Sequence, residues 1–206
     1  MTALSNPRAV MTMFSDPNCV RSHIVRLVLA EKGVHVDIES VEEGNEPADF
    51  EQLNPSRSLP TLVDRDLVLY DARVICDYLD ERYPHPPFMP IDPVSRARTR
   101  LALFRIESEW YSLVPALESG GSAGKSAAAE LADSLTASAD LFAAMPFFLS
   151  EEFSMLDATI APLLWRLKHY GVELSASAKP VTDYASKIMA RSGFQASLSA
   201  VEREYG

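Results

Sequence analysis

Between residues 84 and 93 the chain reads Pro84-His85-Pro86-Pro87-Phe88-Met89-Pro90-Ile91-Asp92-Pro93, five prolines in ten residues. Each proline removes a backbone N–H donor and fixes φ, so this stretch is neither helix interior nor central strand. The regular structure must be built on either side of it. The expected organisation is an N-terminal domain over residues 8–83, a proline-rich segment over 84–94 and a second domain over 95–206. Two small domains suit a chain of 206 residues.

The first domain alternates strand and helix signals. Val10–Phe14 is a short apolar run of the kind a buried strand shows, and Asp16-Pro17-Asn18 breaks it. Ser22–Lys32 then spaces Ile24, Leu27 and Val28 as a helix does, with Gly33 where a helix ends. Val34–Val41 alternates like a half-buried strand, and a short helix is expected over Ala48–Leu53. Thr61–Val63 and Leu67–Tyr70 form a hairpin about Asp64-Arg65-Asp66, and Ala72–Arg82 puts Val74, Ile75, Tyr78 and Leu79 on one helical face. This order, β-α-β then β-β-α, predicts a small α/β layer with a right-handed crossover between its parallel strands.

Beyond the prolines the signals are helical. Helices are expected over Ser95–Leu117, Ala129–Ala144, Leu156–Tyr170, Thr182–Ser192 and Phe194–Glu204, with Ser122–Ala129 as a loop. Leu156–Tyr170 is nearly all apolar and belongs at the centre of a bundle. The fold class is therefore α/β plus all-α.

Charge and cysteine content narrow the partners. Asp and Glu number 29 against 19 Lys and Arg, a net charge of −10, which disfavours direct nucleic-acid binding because phosphate contacts need basic surface. Two cysteines do not make a disulfide framework, so a reducing compartment is expected. No run approaches the roughly 20 apolar residues of a membrane helix, and the first ten residues lack an apolar leader. The expectation is a cytoplasmic protein with no membrane association, no metal and no resident cofactor. Within this acidic chain Arg96, Arg98, Arg100 and Arg105 read as one basic stripe, suited to an acidic patch on a protein partner.

Three places offer chemistry. Leu59-Pro60 lies directly before a strand, where a cis bond would expose the Leu59 backbone to a peptide-like ligand; an ordinary strand-leading proline is the other reading. Cys19 enters a helix N-terminus with Arg21 nearby, a setting that favours a thiolate nucleophile; a small half-buried cysteine without a role is the alternative. Cys76 sits on an apolar helical face and reads as core. In the proline strip, Tyr83, His85, Phe88 and Met89 are threaded between rings that fix φ, either as an interdomain linker or as a preformed partner surface.

Taken together, Arg26–Gly33, Ser58–Asp64, Ile75–Leu79 and the helix-opening Ser154-Met155-Leu156-Asp157 resemble the glutathione transferase fold, a thioredoxin-like domain followed by a helical one. That resemblance implies a glutathione site at Leu59, Pro60, Asp71 and Ala72, with Cys19 as the catalytic thiol of a thiol-type transferase or reductase. In it Asp71 takes the γ-glutamyl ammonium. Ala72 stands where the family has a serine and offers no hydroxyl, a loss of about 1.5–3 kcal/mol. The Cys-Pro-Phe pattern of thiol-type members is also absent, since the chain reads Cys19-Val20-Arg21-Ser22.

A narrower resemblance covers nearly the whole chain. Val25–Val34, Pro60–Arg65, Tyr78–Pro90, Pro162–Leu167 and Phe194–Leu198 are similar to the stringent starvation protein A family. This implies a homodimeric regulator that associates with RNA polymerase holoenzyme in stress and stationary phase, without transferase activity. Its partner surface would fall on Tyr83, Pro84, His85, Pro86, Pro87 and Phe88.

Overall fold

The computed structural model describes residues 8–42, 44–47 and 50–205. In chain order the elements are β1 (Arg8–Ser15), α1 (Val20–Glu31), β2 (Asp37–Ser40), α2 (Phe50–Leu53), β3 (Thr61–Arg65), β4 (Leu67–Tyr70) and α3 (Ala72–Arg82). They continue as α4 (Pro93–Glu109), α5 (Val114–Ser119), α6 (Gly121–Ala137), α7 (Ala139–Ala143), α8 (Met155–Trp165), α9 (Lys179–Met189) and α10 (Ser192–Ser197). Residues 48 and 49 of the expected short helix, and the start of the chain before Arg8, lie outside the described residues.

The chain divides inside the proline strip. The described residues up to Pro86 form one unit together with Ser192–Glu204; Pro87–Arg191 and Tyr205 form the other. The expectation of a second domain running unbroken from 95 to 206 is thus modified, because the tail returns to the first unit.

In that first unit the sheet order is β2-β1-β3-β4, with β1 parallel to β2 and antiparallel to β3, and β3 antiparallel to β4. The central strand β1 is buried from Met11 to Ser15, which is why its sequence is a continuous apolar run rather than an alternation. Phe14 meets Phe50 at 5.0 Å between ring centroids, over Val41, Leu53 and Val63. The edge strand β2 is shorter than its alternating sequence predicts and mostly exposed.

The second unit is helical. Asp92 caps α4 by accepting from the Ser95 N–H at 2.8 Å, with Pro93 opening the helix. The expected helix through Leu117 is interrupted after Glu109 by a 3-10 turn at Tyr111–Leu113. Pro115 is the cause, since it has no N–H to give the Tyr111 carbonyl and instead stands in the first turn of α5. Ser122–Ala129 is helix rather than loop. Gly124 sits where an added Cβ would lie 3.1 Å from the Ala116 carbonyl, so the small residues there let α6 pack closely on α5. As expected, α8 is the buried helix: every residue from Met155 to Leu164 except Thr159 is buried.

Candidate functional site

Residues 83–86 leave the C-terminus of α3 with Pro84, His85 and Pro86 exposed and Tyr83 half-buried. The His85–Pro86 peptide is cis. Lys32, the residue that ends α1, reaches this segment. Its Nζ donates to the Tyr83 and Pro86 carbonyls, both at 2.8 Å, and pairs with Asp80 Oδ1 at 2.8 Å. Pro87, also exposed, opens the second unit.

Phe88 does not belong to this surface. It is 2% exposed, packs edge-on against Phe153 at 5.4 Å, and its carbonyl accepts from the Met155 N–H at 2.9 Å. A ring between exposed prolines reads as surface in the sequence. Here it is the first core residue of the helical unit, drawn in by the apolar area it buries.

A second constellation lies at one end of the sheet. The register Phe14↔Thr61 and Thr61↔Tyr70 sets Ser15, Leu59-Pro60 and Asp71 beside one another. Leu59-Pro60 is cis, as the sequence allowed. Asn54, fully buried, shapes the approach: its Nδ2 donates to the Ser58 carbonyl at 3.0 Å and to Thr61 Oγ1 at 2.9 Å, while its Oδ1 accepts from the Ser56 N–H at 3.1 Å. Asp71 has φ +83°, a strained region for a non-glycine residue, and its Oδ1 already accepts from the N–H groups of Arg73 and Val74. Ala72 is buried.

Cys19, half-buried, is the N-cap residue of α1; its side chain makes no capping hydrogen bond, and its carbonyl accepts from the His23 N–H. Ser15, the hydroxyl at the end of β1, is buried and accepts from Arg26 Nη1 at 2.5 Å. Cys76 is core, and burial, reinforced by Asp77, Asp71 and Asp80, pushes its thiol well up.

These two sites do not merge. Asp71 opens α3 and Tyr83 closes it, and 11 residues of helix span about 16 Å. Within the first unit, the transferase-like positions and residues 83–86 lie at opposite ends of α3.

The expected single arginine stripe on α4 also resolves differently. At about 100° per residue, Arg96 and Arg100 lie on one flank and Arg98 and Arg105 on the other. Between them runs an exposed apolar line of Val94, Leu101 and Phe104, the last two 61% and 58% exposed. Arg105 bonds Glu109 at 2.9 Å within the helix.

Lys32, Asn54 and the pair Arg26–Glu202 are the residues that sequence reading missed. For Lys32 there was a signal: Asp80 follows Cys76 by four residues on the inner side of α3, and a carboxylate there requires a cation. For Arg26 and Glu202, 176 residues apart, no local pattern exists.

Comparison with known proteins places this geometry. The glutathione S-transferase N-terminal domain family matches residues 18–82, and the glutathione S-transferase C-terminal domain family matches 93–196. A glutathione transferase from Methylococcus capsulatus str. bath superposes with a TM-score of 0.83 at 25% identity, covering 95% of this chain and 100% of that one. Ure2p in complex with glutathione superposes with a TM-score of 0.80 at 15% identity, covering 92% of each chain. The chain is thus a glutathione transferase-fold protein, built of the N- and C-terminal domains of that superfamily.

Within it the relationship is closer to one branch. The stringent starvation protein A homolog of Pasteurella multocida (strain Pm70) is 46% identical over 200 residues, 96% of this chain and 94% of that protein. The homolog of Coxiella burnetii (strain RSA 493 / Nine Mile phase I) is 45% identical over 201 residues, 96% of this chain and 95% of that one. The chain belongs to the stringent starvation protein A family. Among the described residues no helix is long and apolar enough to cross a membrane.

Proposed function

We propose that this chain is a cytoplasmic transcription regulator that docks on RNA polymerase holoenzyme in the stress response, through Tyr83, Pro84, His85, Pro86 and Pro87, and that it has no transferase activity. The observation that carries the reading is the strip itself. A linker need only connect, whereas here the turn is held by a lysine with both carbonyls occupied and Pro84, His85 and Pro86 facing solvent. Such a surface loses little conformational entropy on binding. Membership of the stringent starvation protein A family supports it, as does Ala72 in place of a hydroxyl-bearing residue. The net charge of −10 favours a protein partner over DNA.

The working form would be a homodimer. The apolar line on α4 and the Tyr70 and Val74 side chains are both exposed apolar patches, so a second copy can set one against the other. Light scattering of Leu101→Glu/Phe104→Glu should then report a monomer.

One observation favours the other reading, a thiol-type glutathione transferase or reductase. Cys19 is partly accessible at the N-cap of α1, in the same unit as cis-Pro60. The deciding experiment is retention of purified holoenzyme by the native protein and by a Pro84→Ala/His85→Ala variant that leaves the buried Phe88 intact. Retention by the native protein and its loss in the folded variant support docking. No retention by the native protein at micromolar concentration ends that reading and leaves glutathione titration to test Cys19.

A further inference from the structure

We propose that Lys32, with Asp80, is the positioning residue of the docking strip: it holds Pro84 and His85 in the conformation a partner reads. The inference rests on the docking reading above and adds the residues on which its geometry depends.

The argument begins with donors. A proline-rich turn has little means of fixing itself through backbone N–H groups, because Pro84, Pro86 and Pro87 have none and His85 alone supplies one. Its carbonyls outnumber its donors, so further donors must come from outside the strip. An ammonium carries three donors and no acceptor. Lys32 reaches Asp80 Oδ1, the Tyr83 carbonyl and the Pro86 carbonyl, each at 2.8 Å. The Tyr83 carbonyl is among those a helix C-terminus leaves without an intrahelical partner. The Pro86 carbonyl lies three residues on, beyond the exposed Pro84 and His85. One cation thus ties both ends of the exposed turn to α3, while Asp80 balances its charge.

The Lys32 side chain is wholly enclosed and that of Asp80 is 9% exposed, so the partner never touches either. Their effect is on population. Without the clamp the same surface residues are present, but only a fraction of molecules display them in the competent turn, and apparent affinity falls by that fraction. A lysine here therefore acts on docking from the interior.

Lys32→Met alone would break the enclosed pair with Asp80 and keep the carboxylate, which threatens the fold. The test uses Lys32→Met/Asp80→Leu, because replacing both partners of a buried pair by apolar groups commonly preserves stability. A core variant, Val63→Ala, serves as a control for general destabilisation in the same unit. Two readouts are taken: holoenzyme retention, and the histidine ring signals in NMR, with His85 identified by its absence in His85→Gln.

The expected result is a folded double variant with shifted His85 ring signals and affinity for holoenzyme lowered about tenfold, while Val63→Ala retains holoenzyme as the native protein does. Equal loss in Val63→Ala would overturn the proposal, assigning the effect to stability. Unchanged retention in the double variant, or lost retention with His85 signals unmoved, would also overturn it. If the native protein itself is not retained, the docking reading fails separately. The ring signals then decide alone whether Lys32 sets the turn: moved signals uphold it and unmoved signals end it.

Discussion

Glu202 makes a sharp test of how the tail is held to the first unit. Its carboxylate accepts from Arg26 Nη2 at 2.6 and 2.7 Å and from the Ser199 N–H at 2.8 Å, and His23 Nδ1 lies 3.5 Å away. The side chain is fully buried, and that of Arg26 is 6% exposed. Glu202→Ala would remove the carboxylate paired with this enclosed guanidinium, a change that costs about 3–5 kcal/mol at buried pairs. For a protein of this size, that corresponds to a fall in melting temperature of roughly 6–20 °C. Both tryptophans, Trp110 and Trp165, lie in the helical unit, so fluorescence alone would understate the lesion. Far-UV circular dichroism in urea, with amide exchange of residues 192–204, reads it directly. The companion variant Arg26→Met/Glu202→Leu should recover most of the loss, because it removes both charges together. A single variant that loses less than about 1 kcal/mol, or a double variant as weak as the single, would refute the claim that a desolvated ion pair anchors the tail.

Other expectations follow from the same structure. Asp157 accepts from the Phe148 and Ser154 N–H groups at 2.9 and 2.8 Å and from Tyr184 Oη at 2.5 Å, so Asp157→Ala should cost about 3 kcal/mol or more in urea unfolding by leaving buried donors unmet. Burial raises the pKa of Asp157 above its ordinary 3.8, despite hydrogen bonds from Tyr184, Phe148 and Ser154 that pull it down. The folded chain therefore holds this proton more tightly than the unfolded chain, and the stability contributed falls as pH rises from 3.8 through the folded value. Urea midpoints across that range should show the advantage of the native protein over Asp157→Asn shrinking with pH; a widening gap would contradict the sign. Phe88→Ala should destabilise by about 3–5 kcal/mol, whereas Pro84→Ala/His85→Ala should stay within about 1 kcal/mol, as differential scanning calorimetry can check. Glutathione, followed by isothermal titration, should bind Ala72→Ser about tenfold more tightly than the native chain; no gain would dismiss the missing hydroxyl as the cause of a weakened site.

Much of the architecture was legible because it is locally encoded. The proline strip marked the division, the apolar run at Val10–Phe14 marked the central strand, and Ser154 with Asp157 marked the start of the buried helix through a cap four residues long. The nearness of Pro60 and Asp71 was legible too, since they flank two short strands whose hairpin register must bring their ends together. Helix limits were less so: Pro115 broke a helix that apolar spacing alone would have continued, and Ser122–Ala129 became helix because Gly124 could approach α5.

Only the tertiary structure decided which face each remaining residue took. Phe88 and His85 sit three positions apart in the same strip, yet one is core and the other surface, because burial depends on what packs alongside and not on spacing within an irregular segment. For Lys32 the inward Asp80 called for a cation without saying which one, and Glu202 carried no local sign of its role. Their partners lie 54 and 176 residues away in sequence at Pro86 and Arg26, and such pairings follow from the enclosed polar groups that the folded chain must satisfy.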